Sequence, residues 1–142
     1  MIYGVSLHYE IVVSCFLDER VPEHVLESLR WQLGLLGERP EHLQDGSPHP
    51  MWVPKPDSYL PGGEVARLHR RRRGLTQAGD VYGWGLYART FCLDDAIGEA
   101  LAVLELVAPY VSDDGYGGYM REESDTEVSV FVFANGNYDI RR

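Results

Sequence analysis

The sequence predicts an α+β fold, a two-layer sandwich with an antiparallel sheet carrying two helices on one face. Residues 3–17 place Tyr3, Val5, Leu7, Tyr9, Ile11, Val13, Cys15 and Leu17 at every odd position, with Ser6, His8, Glu10 and Ser14 among the even ones. This period-2 alternation is the pattern of a strand with one face on a core. Two segments of helical period each follow a strand-like segment, and the C-terminal part reads as a hairpin ending at the turn dipeptide Asn135-Gly136.

In chain order, Asp18-Glu19-Arg20-Val21-Pro22 suits a helix start, because proline is tolerated at the first position and acids favour the dipole. Val25, Leu26, Leu29 and Leu33 then recur at helical spacing, which predicts a helix over about 22–35 ended by Gly34 or Gly37. Periodicity vanishes over the next residues, where Pro40, Pro48, Pro50, Pro54 and Pro56 precede Pro61-Gly62-Gly63. Prolines remove backbone donors, so an irregular excursion is expected at about 38–62, anchored by Met51, Trp52, Val53, Tyr59 and Leu60.

Residues 64–73 read as an edge strand rich in arginine, with Val65, Arg67, His69 and Arg71 on one face. Residues 81–92 form a central strand in which Tyr82, Trp84, Leu86, Ala88 and Cys92 share one phase and Tyr87, Arg89 and Phe91 the other. Asp94 or Asp95 is a good N-cap for a second helix carrying Ala96, Ile97, Ala100, Leu101, Val103, Leu104 and Val107, stopped by Pro109. Residues 116–123 and 126–134 are expected to pair around Ser124-Asp125, with a short terminal strand after Asn135-Gly136. The order β-α-β-β-α-β with an extra C-terminal strand suits a ferredoxin-like topology. It places 3–17 beside 81–92 at the centre, the arginine strand on one edge and the final hairpin on the other. The whole of 1–142 is expected to be one domain.

Composition narrows the function classes. The chain is 142 residues long, with 44% hydrophobic residues and a net charge of −9. Residues 67–73 hold five of the 13 basic residues and no acid, leaving eight bases against 22 acids, or −14, elsewhere. That balance argues against nucleic acid as a partner, since phosphate neutralisation drives such binding. No apolar run approaches the roughly 20 residues of a membrane-spanning helix, and a soluble cytoplasmic protein is expected. Cys15 and Cys92 match no zinc or redox spacing and read as small buried hydrophobes. The five histidines show no ligand spacing, so neither a metal nor a cofactor is expected. Asp113-Asp114-Gly115-Tyr116-Gly117-Gly118-Tyr119 lacks the acid spacing of a calcium loop and reads as turn chemistry. No nucleophile-elbow or phosphate-loop motif is present.

The phase of the strands is the most informative feature. With the odd positions of 3–17 turned to the helices, the other sheet face receives His8, Glu10, Val12, Ser14 and Phe16, joined by Tyr87, Arg89 and Phe91. The last long strand is expected to add Phe131 and Phe133, and its partner Arg121. A face meeting only water would not be so aromatic, and a plain core face would not hold Glu10 and Arg89. Something covers it, whether the proline-rich excursion, a second subunit or a ligand. The candidate ligand-binding residues are therefore His8, Glu10, Tyr87, Arg89 and Arg121, with Glu10 and Arg89 paired. The arginine strip suits either an oxyanion site or a charged edge that blocks aggregation.

Two functions fit. The first is a non-catalytic binding or interaction module, of the kind of an inhibitor or immunity protein, holding a protein partner or a small anionic molecule. The second is a cofactor-independent enzyme of the dimeric α+β-barrel type, with Glu10 or His8 as proton acceptor and Arg89 holding an anionic group. A homodimer is expected.

Overall fold

The computed structural model describes residues 7–41, 43 and 49–142. Strand β1 (His8–Asp18) leads to helix α1 (Glu23–Gln32), then β2 (Val65–Thr76), β3 (Gly79–Leu93), α2 (Ile97–Val107), β4 (Gly115–Glu122), β5 (Ser129–Ala134) and β6 (Asn137–Arg141). The strands form one antiparallel six-stranded sheet in the order β2-β3-β1-β4-β5-β6. The α+β class is thus observed. The sheet is broader than a four-stranded unit with one added strand, because the C-terminal segments contribute β4, β5 and β6. Residues 3–6 of the expected first strand, with His42 and Pro48, lie outside the described residues. Leu7 is 45% exposed, so the inward face of β1 starts at Tyr9.

The hydrophobic alternation decides which face meets the helices. Ile11, Val13 and Leu17 are fully buried, and Leu86 and Ala88 of β3 lie beside them. Val25, Leu26 and Leu29 of α1 and Ala100, Val103, Leu104 and Val107 of α2 close this core. Phe131 and Phe133 are 0% and 1% exposed and belong to the same core. This corrects their expected place on the opposite face. In β5 it is Val130 and Val132, opposite Tyr119 and Tyr116, that turn away from the helices.

Helix α1 is closed off by Gly34, just past its C-cap, whose φ of +77° is open to glycine at little cost. There the Gly34 N–H donates to the Trp31 carbonyl and the Leu35 N–H to that of Arg30, a Schellman closure. Pro22 occupies the N-cap, one position earlier than expected, and α1 ends at Gln32. Neither Asp94 nor Asp95 caps α2; both lie in a 3₁₀ turn, Asp94–Ala96, that leads into it. The arginine strand runs on past residue 73 to Thr76. Its turn is closed by the Thr76 hydroxyl, which accepts from the Ala78 N–H and donates to the Gly79 carbonyl.

Between α1 and β2 no helix or strand occurs among the described residues, yet the segment is anchored. Trp52 is fully buried; its indole N–H donates to the Ala100 carbonyl at 3.0 Å and its backbone N–H to that of Gln32 at 3.0 Å. A buried indole with its polar tip satisfied fixes the excursion to the helix layer.

Candidate functional site

The face away from the helices is assembled from alternate residues of every strand. Strand β2 contributes Arg67, His69 and Arg71; β3 contributes Gly85, Tyr87, Arg89 and Phe91; β1 contributes His8, Glu10, Val12, Ser14 and Phe16. Strand β4 adds Tyr119 and Arg121 by alternation and Tyr116 through a bulge. Tyr116 and Tyr119 are three residues apart and would fall on opposite faces of a regular strand. The register shift between them returns both to this face.

Glu10 is the pivot. It is 3% exposed, directly opposite Phe91 on β3 and Arg121 on β4. Arg89 reaches it diagonally, its Nε and Nη2 each 2.6 Å from Oε2. Arg121 donates through Nε and Nη2 to Oε1, both at 3.3 Å, and the Tyr119 hydroxyl lies 3.2 Å from Oε2. A buried carboxylate is costly unless paired and hydrogen-bonded, and here both oxygens are saturated. The arginines use their remaining donors on backbone. Arg89 Nη1 donates to the carbonyls of Pro61 at 2.5 Å and Gly63 at 3.3 Å, and Arg121 Nη1 to those of Glu123 and Asp125 at 3.0 Å. Arg89 therefore ties the end of the proline-rich excursion to the sheet.

Of the sequence-derived residues, Glu10, Arg89 and Arg121 meet in this cluster. His8 stands apart, stacked on Phe91 with ring centroids 5.0 Å apart and Nδ1 3.6 Å from a Glu123 carboxylate oxygen. Tyr87 is 42% exposed and lies toward β2, opposite Ser14 and Arg67. Tyr119 was missed by sequence reasoning, although it stands two residues before Arg121 in unbroken register and therefore shares its face.

A second feature lies one strand over. Ser14, Phe16, Arg67, His69, Arg71, Gly85, Tyr87, Asp113 and Tyr116 are among the residues that line a cavity of about 420 Å³. Within the arginine strip, Arg70 pairs with Glu19, Arg72 with Asp80 at 3.0 Å, and Arg73 with Asp113 at 2.7 Å. Arg67, His69 and Arg71 have no ion pair or side-chain hydrogen bond among the described residues.

Burial pushes the thiols of Cys15 and Cys92 up to about 12 and about 11, so neither is poised as a nucleophile. Among the described residues no group of three His, Cys, Asp or Glu side chains is placed to share a metal ion, and no helix is long and apolar enough to cross a membrane.

The tyrosines of this face report on it. Burial raises the Tyr119 hydroxyl above its ordinary value of 10, and the Glu10 carboxylate beside it adds to the shift; burial likewise raises Tyr116. The folded chain thus keeps protons that the unfolded chain releases near pH 10. The stability they contribute is complete below that pH and is lost as pH rises beyond it. An ultraviolet phenolate titration should show a late-titrating class that shrinks in Tyr119→Phe. One uniform transition near pH 10 would contradict this placement.

No protein-family model, curated protein or solved structure matches the chain.

Proposed function

We propose that the chain is a non-catalytic binding module that holds an anionic group on its open sheet face. The observation that carries this reading is the division of labour across that face. Glu10, the group best placed for acid–base chemistry, has both oxygens occupied by Arg89, Arg121 and Tyr119. Arg67 and Arg71, facing a cavity nearby, keep their donors uncommitted. Guanidinium groups bind oxyanions bidentately, and a concave wall strengthens that attraction. An inhibitor- or immunity-type role, in which a partner protein supplies the anionic group, suits the same face. Nucleic acid does not, given the −14 balance outside the strip.

A ferredoxin-like unit is part of this proposal. Its support is the run β2-β3-β1-β4 with one helix after β1 and one after β3, to which β5 and β6 would be an extension. A cytoplasmic location accords with the two free thiols.

The second reading, a cofactor-independent enzyme formed by two copies packed face to face, is favoured by one observation. Tyr59, Tyr87 and Tyr116 around the face are 87%, 42% and 59% exposed, an aromatic rim that a second sheet would cover.

Native mass spectrometry after incubation with a metabolite extract distinguishes the two. A binding module should retain a species that is released chemically unchanged on denaturation. Formation of a new product, at a rate abolished by Glu10→Gln in a folded variant, would overturn the non-catalytic reading.

A further inference from the structure

We propose that the cavity beside β2 binds a small aromatic dianion, of the chemical class of an aryl phosphate or an aromatic dicarboxylate. This rests on the binding reading of the open face and names the ligand that face takes. Charge is the first argument. Of the five arginines between residues 67 and 73, Arg70, Arg72 and Arg73 are matched by Glu19, Asp80 and Asp113. The two left unmatched, Arg67 and Arg71, are the two that line the cavity. Among the described residues no acidic side chain pairs with either arginine, and Asp113, which also lines the cavity, is already neutralised by Arg73. Two uncompensated guanidinium groups call for two negative charges.

Geometry is the second argument. Arg67 and Arg71 stand at i and i+4 on one strand, their Cα atoms about 13 Å apart, with His69 between them on the same face. They can close on one compact ligand from both ends, each presenting a planar fork to an oxyanion. The volume of about 420 Å³ falls within the roughly 300–1,000 Å³ usual for small-molecule sites.

Aromatic surface is the third. Tyr87 and Tyr116 line the cavity and are 42% and 59% exposed, leaving ring surface for a planar body. The Phe16 ring is already covered by Arg73, whose guanidinium carbon lies 3.7 Å from its centroid. The floor is low because Gly85 has no side chain; a Cβ there would sit 3.3 Å from Phe16. A flat group can therefore lie against the backbone between the arginine wall and the tyrosines.

The test is calorimetric titration of the full chain with phenyl phosphate, phthalate, benzoate and inorganic phosphate. Phenyl phosphate and phthalate should each bind at least about tenfold more tightly than benzoate, which lacks the second charge, and inorganic phosphate, which lacks the ring. Arg67→Gln/Arg71→Gln should weaken both dianions by about tenfold or more, while Arg141→Gln on the far edge strand should leave them unchanged. Because both cavity arginines are solvent-exposed, the double variant should melt with the parent, and the single variants give the same reading if it does not. Absence of binding by both dianions, equal binding of benzoate, or affinity unaltered in the double variant would overturn the site. That failure would leave the non-catalytic reading standing. Release of phenol from bound phenyl phosphate would do the reverse, keeping the site and removing the non-catalytic reading.

Discussion

Gly118→Ala should cost about 4 kcal/mol or more, at the far end of what single substitutions do. Gly118 lies in the β4 bulge at φ +115°, a conformation an L side chain rarely adopts. A Cβ built there would lie 2.0 Å from the Val12 carbonyl oxygen and 2.7 Å from its carbon. Those atoms are backbone of the central strand and cannot rotate aside. The substitution must break the β1–β4 pairing locally or flatten the bulge. Either outcome turns Tyr119 or Tyr116 away from the open face and loosens Arg121 from Glu10. Gly98→Ala is the matched control, because nothing lies within 4 Å of its Cβ and it sits in α2. It should be neutral or stabilising by up to about 1 kcal/mol. Chemical denaturation of both variants decides the matter. A Gly118→Ala protein as stable as Gly98→Ala would mean that the close approach to Val12 is absent.

Arg89→Ala should cost about 3 kcal/mol, within the range for removing one partner of a buried ion pair. The carboxylate it leaves is buried, with a side-chain exposure of 4%, whereas that of Arg89 is 19%. Arg121 would still hold Oε1 and keeps the loss toward the lower end of the range. The variant also frees the carbonyls of Pro61 and Gly63, so amide exchange should quicken around residues 60–64 while the stretch at Trp52, anchored to Ala100 and Gln32, stays protected. Exchange unchanged at 60–64 would mean that Arg89 does not hold the excursion.

Much of this architecture is written locally in the chain. The odd-position run from Tyr9 to Leu17 specifies which face of β1 is buried, because period-2 alternation leaves one choice of phase. The same reasoning fails at β5, where Val130, Phe131, Val132 and Phe133 are all apolar and alternation gives no phase. The fully buried positions turned out to be the phenylalanines. Glu10 and Arg89 were legible as a pair because unlike charges on the less apolar phase of adjacent strands need one another. Their register was not: Arg121, two strands from Arg89, is the residue directly opposite Glu10. Tyr119 was legible from the phase of Arg121, but Tyr116 reaches the open face only through the bulge between them, and one inserted residue inverts every parity argument beyond it. The cavity at Arg67 and Arg71 was hidden for another reason. Which arginines of the strip are neutralised depends on Glu19, Asp80 and Asp113, remote in sequence or across a turn.

The open face is built around Glu10 as a structural brace, and a double-mutant cycle measures that directly. Glu10→Ala, Arg89→Ala and the double variant are unfolded chemically, and the coupling is the departure of the double from the sum of the singles. A brace gives a coupling of about 1.5–3 kcal/mol, with the double variant recovering part of the loss seen in Arg89→Ala. Additivity within about 0.5 kcal/mol, with each single variant close to the parent, would show a solvated pair and a face without its brace.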